Sequence, residues 1–191
     1  YTRENIAEYA KKHRVCPFEF TLDVSLFTDL VIGDYNYLFD PHVYLRRFFS
    51  EGIKKDYVFL IDEAHNLLDR GREMYSAVLR KEDFLELKRI VKTEDVKLEK
   101  LLEKCNKEML HLKRECPGFL RITSVDNLMN ALLRLSAGID QFLTNKEDSV
   151  IKKDVLDLYF KISHFMEIYE IMDENYAIYT QMEEDGTFIC K

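Results

Sequence analysis

Glycine and proline are scarce, at six and three of 191 residues. That scarcity argues against an all-β architecture, whose many tight turns would need both, and favours long helices. Long hydrophobic runs are missing as well. No apolar stretch approaches the roughly 18 residues that a membrane-spanning helix needs, so a soluble chain with no membrane role is expected. The opening "YTRENIAEYAKKHRV" lacks the apolar core of a secretory signal. The four cysteines, Cys16, Cys105, Cys116 and Cys190, form no C-x-x-C pair, which excludes a zinc knuckle or dithiol redox motif assembled here. A reducing intracellular compartment, the cytoplasm in a bacterium, is the default. Positive charge is in deficit: the net charge of −7 argues against a surface that holds nucleic acid unaided, though a local contact stays open.

What is present reads as globular, with 47% hydrophobic and 33% charged residues. The chain starts at Tyr1 rather than Met and stops in "TFICK" while a strand pattern is still running, so a piece of a longer polypeptide is expected.

Thr2 is placed to cap a helix over residues 3–13, and Pro17 suits the first position of a second helix with Cys16 at its N-cap. "DLVIGD" and "YVFLI" read as two short buried strands, at 30–34 and 57–61. Between them Asp40 and Pro41 open a helix that Gly52 closes. Two apolar strands separated by a helix have the form of a parallel βαβ unit. Beyond residue 75 the pattern turns helical. A long, highly charged helix carries Leu98, Leu101, Leu102, Cys105, Met109 and Leu112 on one stripe and stops at Cys116-Pro117-Gly118. A second follows Ser124, with Leu128, Leu132, Leu135, Ile139 and Phe142. A third carries Ile151, Val155, Leu158, Ile162, Phe165, Tyr169 and Met172 in alternating steps of four and three. Such stripes need each other, so an antiparallel bundle is expected. "YAIYTQMEEDGTFICK" alternates around Asp185-Gly186 and predicts a hairpin. The expected class is mainly α: a helical bundle inserted after a partial α/β segment, with a C-terminal hairpin.

The chemistry centres on "YVFLIDEAHN". A strand that ends in Asp62-Glu63 can fix a carboxylate to hold Mg²⁺ at a sheet edge and a second, Glu63, to orient and deprotonate a water. His65, on the first helical turn, would couple that site to a neighbouring lobe. The plainer account is that Asp62 caps the helix and Glu63 sits well with its dipole.

"VFLIDEAHN" resembles motif II, the Walker B sequence, of superfamily 2 helicases. With "HRVCPFEFTLDVSLFTDLVIGDYNYLFDP" before it, the resemblance narrows to the XPD/DinG-like iron–sulfur DNA helicases. In that family a Cys-Pro supplies the fourth ligand of a 4Fe-4S cluster, and a "YNYLFDP"-like segment precedes the DEAH box. Four regions follow from it: 1–28, the end of the iron–sulfur region; 29–75, part of motor domain 1; 76–172, a helical arch domain; and 173–191, the entry into motor domain 2. The resemblance implies an ATP-dependent helicase moving 5′ to 3′ on single-stranded or forked DNA. It gives Asp62 the Mg²⁺ role, Glu63 the catalytic-base role, His65 the coupling role and Cys16 a cluster-ligand role. The family's Gly-Lys-Ser/Thr phosphate loop is absent from these 191 residues. ATP, Mg²⁺ and the 4Fe-4S cluster are therefore expected only in the intact enzyme, and the chain alone should hydrolyse no ATP.

Tyr35, Asn36 and Tyr37 could stack on or bond single-stranded DNA, or simply pack the end of a strand. Arg46, Arg47, Lys54 and Lys55 form the densest basic patch of the first region and read as solvated surface. His111 and His164 have no second ligand at metal spacing. A non-catalytic helical interaction module, with the DEAH string a chance turn, is the alternative function.

Overall fold

The computed structural model describes residues 2–49, 56–146 and 150–191. It divides into two units, Tyr1–Met74 and Tyr75–Lys191.

In the first unit, the Thr2 hydroxyl accepts the Asn5 N–H at 3.3 Å and opens α1, Arg3–His13. The helix ends where Arg14 turns left-handed (φ 56°). Pro17 then starts α2, Pro17–Ser25, with Cys16 at the N-cap as its sequence predicts. Ile6 and Ala10 are buried as α1 lies along α2. Two four-residue helices follow, α3 at Asn36–Phe39 and α4 at Arg46–Phe49. The helix expected from Asp40-Pro41 does not start there. The Asp40 carboxylate accepts the His42 N–H at 2.8 Å, which makes a turn of residues 40–43 and delays helix to Arg46. Gly52, Lys54 and Lys55 lie outside the described residues.

The two expected strands are corrected more sharply. Residues 30–34 and 57–61 take no regular secondary structure and enter no ladder, so the parallel βαβ unit is not formed. Ile32 is 89% exposed, Val58 90% and Leu60 92%. A parallel pair is stable only with neighbours in its sheet and helices over its faces, and the first unit supplies neither. Past the acidic pair a 3₁₀ turn, Ala64–Asn66, runs into α5, Leu67–Met74.

The second unit holds the larger core. Its elements are β1 (Leu79–Arg80), α6 (Lys81–Val91), α7 (Val96–Glu115), β2 (Phe119–Ile122), α8 (Asp126–Asn145), α9 (Lys152–Glu170), β3 (Ile178–Met182) and β4 (Phe188–Cys190). The expected apolar stripes are the core: Leu98, Leu102, Cys105 and Met109 from α7, Leu128, Leu132, Leu135, Ile139 and Phe142 from α8, and Val155, Leu158, Ile162 and Phe165 from α9 are all buried. The one long charged helix is in fact two. Asp95 accepts the N–H groups of Lys97 (2.8 Å) and Leu98 (3.0 Å) and restarts the chain as α7.

The hairpin closes at Asp185-Gly186, where Gly186 has φ 84° and the Asp185 carboxylate accepts the Thr187 N–H at 2.9 Å. It is the centre of a four-stranded antiparallel sheet ordered β1-β4-β3-β2. Leu79, Cys190, Thr180 and Phe188 face the helices and are fully buried. Phe119 and Tyr179 stack on the other face with ring centroids 5.2 Å apart. The sheet ties the hairpin and the helices into one unit, and the whole chain is mainly helical.

Candidate active site

The segment Tyr57–Ile61 reaches the acidic pair as an irregular run whose two aromatic rings pack against Phe49. Tyr57 meets Phe49 edge-on at 5.6 Å, and Phe59 lies 6.0 Å from Phe49 and 6.1 Å from Tyr57. Fixing the rings fixes the backbone that feeds Asp62.

At Asp62 the chain turns. Its carboxylate accepts the N–H of Glu63 at 2.9 Å, a bond to the next residue rather than the usual reach of an N-cap into the helix. Glu63 takes the left-handed conformation (φ 50°), uncommon for a residue with a Cβ. That kink swings the chain into the 3₁₀ turn, where the His65 imidazole Nδ1 comes within 3.3 Å of the Glu63 carboxylate. Asp62, Glu63 and His65 are all exposed to solvent. The turn thus brings Glu63 and His65 into contact and leaves the Asp62 carboxylate exposed one residue before them; a carboxylate of this kind can take a hard cation or accept a proton from water.

Tyr35, Asn36 and Tyr37 are half-buried. The Asp34 carboxylate accepts the Asn36 N–H at 2.9 Å and starts α3. The Tyr37 carbonyl accepts the Leu45 N–H at 2.8 Å, and the Tyr37 ring lies so close to Gly33 that a Cβ there would sit 3.2 Å from it. Tyr37 therefore packs its own loop. Tyr35 lies near α5: the Arg70 guanidinium is held above its ordinary value chiefly by Glu73 at 3.0 Å, with the nearby Tyr35 phenol adding to the effect. This brings the Tyr-Asn-Tyr segment near the helix that follows the acidic turn, an approach no spacing in the sequence announces.

Arg47 pairs with Glu19 and Asp23, so α4 is clamped to α2. Arg46 lies over the Tyr44 ring, 5.6 Å from its centroid. The basic patch is thus partly spent on internal contacts.

Cys16 is exposed at the N-cap of α2 and makes no capping bond. It can offer a sulfur outward. Cys105 and Cys190 are buried in the second unit's core, and burial pushes both thiols up to about 12. Cys116 donates to the Thr180 carbonyl at 3.5 Å. A thiolate ligand needs a deprotonated, reachable sulfur, so Cys105 and Cys190 do not qualify, whereas the Cys16 sulfur is reachable.

Residues 1–85, which contain every element of this site, match the DEAD_2 family model. Among curated proteins, the General transcription and DNA repair factor IIH helicase subunit XPD of Dictyostelium discoideum is 33% identical over 67 residues, 35% of this chain and 8% of the relative. The Fanconi anemia group J protein homolog of Gallus gallus is 37% identical over 73 residues, 38% of this chain and 6% of the relative. The Schizosaccharomyces pombe XPD subunit aligns with 100% of this chain at 24% identity, covering 25% of its own length. The chain is related to the XPD-like superfamily 2 helicases. It spans at most about a quarter of the length of these relatives. In this XPD-like chain the DEAD_2 match ends just inside the second unit, and the Schizosaccharomyces pombe alignment includes the part beyond it.

Proposed function

We propose that this chain belongs to an ATP-dependent DNA helicase of the iron–sulfur type, translocating 5′ to 3′, and that Asp62-Glu63-Ala64-His65 is its hydrolytic turn. The observation that carries the reading is the contact of Glu63 with His65 on one turn, directly after the exposed carboxylate of Asp62 and inside the segment that matches DEAD_2. Asp62 keeps an exposed carboxylate directed at solvent and is suited to Mg²⁺, which when bound would neutralise charge on the triphosphate. Glu63 orients the attacking water and accepts its proton. His65, in contact with Glu63, passes the state of that carboxylate to the rest of the machine. Cys16 would give one thiolate to a 4Fe-4S cluster, and its exposed position, with no capping bond, leaves the sulfur reachable. The phosphate loop must come from residues other than these 191, so the chain alone hydrolyses no ATP.

The test is Glu63→Gln in the full-length protein. ATP hydrolysis should fall by at least about a hundredfold while nucleotide affinity stays near that of the parent, the signature of a group that acts in the transition state. Unchanged turnover would remove Glu63 from the mechanism. In parallel, Cys16→Ser should strip the brown iron–sulfur absorption from the purified protein.

A further inference from the structure

The solvent side of α7 carries a basic side chain at every three- or four-residue step: the cations Lys97, Lys100, Lys104, Lys107 and Arg114, with the imidazole of His111 between the last two. All six are exposed. Steps of three and four keep them on one face, opposite Leu98, Leu102, Cys105 and Met109, which are buried in the bundle. At 1.5 Å per residue the row runs about 25 Å, with a basic side chain on the order of every 5 Å. His111 faces Glu115 at 3.5 Å. The other five have no ion-pair partner among the described residues. Glu103, beside the row, is bound to Lys88 at 2.7 Å, while Glu99 and Glu108 lie along its margins.

The stability of the helix does not call for this arrangement. Like charges three and four residues apart repel, and α7 already has its Asp95 cap and its buried stripe. A protein-docking face is a poor match too. Interface centres are depleted in Lys and organised around aromatic or apolar anchors, and the only large apolar side chain exposed on α7 among the described residues is Val96, in the first turn. A row of separated ammonium groups with no stacking surface between them complements a row of separated phosphates.

We propose that the outer face of α7 is a contact track for the phosphate backbone of a nucleic acid, read without regard to sequence. The choice of DNA as the polyanion rests on the helicase reading above; the row itself is independent of it. The track lies in the second unit and adds to any contact made near the acidic turn.

The probe is fluorescein-labelled oligothymidine, titrated with the 191-residue chain over a series of salt concentrations. Lys100→Gln/Lys104→Gln/Lys107→Gln should weaken binding at least about tenfold at low salt. The slope of log affinity against log salt should drop by about 2, at roughly 0.7 for each phosphate contact on a single strand. Arg121→Gln/Arg134→Gln/Lys153→Gln removes the same charge from other exposed positions and should bind as the parent does. Circular dichroism melting establishes that both variants fold. Equal losses in the two variants, or a parent chain that binds no oligothymidine, would overturn the proposal. Competition by polyglutamate as strong as by unlabelled strand would overturn it in favour of an acidic protein partner. Glu63→Gln should leave this binding intact, so the ATP-hydrolysis test and this one fail separately.

Discussion

The His65 imidazole contacts the Glu63 carboxylate at 3.3 Å across a turn that Glu63 itself enters in the left-handed conformation. The two side chains meet because of that backbone, so the contact is a property of the turn and not of a helix face.

In the proposed mechanism His65 relays rather than reacts. His65→Ala in the full-length protein should therefore leave nucleotide affinity within about twofold of the parent. Strand unwinding should fall by about tenfold or more, with a smaller loss in ATP turnover. Parallel unwinding and ATPase assays on one preparation read the split. Equal losses in both would place His65 in the hydrolytic step itself.

Close packing of α7 on α8 is centred on Gly138, where an added Cβ would lie 2.4 Å from the Leu101 side chain. Gly→Ala inside a helix is worth about 1 kcal/mol by propensity. Here that gain is opposed by a forced shift of Leu101, which is packed against the core. Gly138→Ala should be neutral or destabilising in the parent but stabilising by about 1 kcal/mol once Leu101→Ala has opened the space. A double-mutant cycle in urea measures the coupling. Additive effects would show that Leu101 yields without penalty.

The second unit was legible because its helices repeat. Val155, Leu158, Ile162 and Phe165 can face only one way, and the bundle follows. β1 was not legible, since two residues have no period and become a strand only by pairing with Ile189 and Cys190. Residues 30–34 and 57–61 failed in the opposite sense: their composition suits a buried strand, but a strand is made by its neighbours. At the site, the Asp-Glu-Ala-His string was plain, while the left-handed Glu63 and the nearness of Tyr35 to Arg70 arise from turns and approaches that no spacing encodes. The clamp of Arg47 on Glu19 and Asp23 is of the same kind. The cationic row of α7 was visible all along to a count of lysines, and a search for apolar periods passes over it.

Burial sorts the cysteines by reactivity. Cys16 is exposed, whereas Cys105 and Cys190 are buried with thiols pushed up to about 12. Iodoacetamide at neutral pH should alkylate Cys16 first, Cys116 more slowly, and Cys105 and Cys190 only after denaturant is added. Mass spectrometry of a time course reads the order directly. Early labelling of Cys105 would mean that the α7 seam opens in the native state.

At the start of α8, the Asp126 carboxylate accepts the Tyr169 hydroxyl at 2.8 Å, and the Asp126 N–H donates to the Ser124 hydroxyl oxygen at 3.2 Å. The neighbouring hydroxyls, Ser124 first and Tyr169 second, hold the carboxyl below its ordinary value. A depressed folded value means that the unfolded chain takes up its proton first as pH falls. The stabilisation is therefore complete above the ordinary Asp value of about 3.9 and is lost as pH drops through the folded value. Asp126→Asn should lower the urea midpoint at pH 7, and its deficit relative to the parent should shrink as pH falls below the ordinary Asp value of about 3.9. Tyr169→Phe should show the same trend at smaller amplitude, because the Ser124 bond remains. Since the parent carries the same background of other carboxylates, the difference between curves isolates this one. A deficit that stays constant down to pH 3 would assign the loss to packing at the head of α8 instead of to charge.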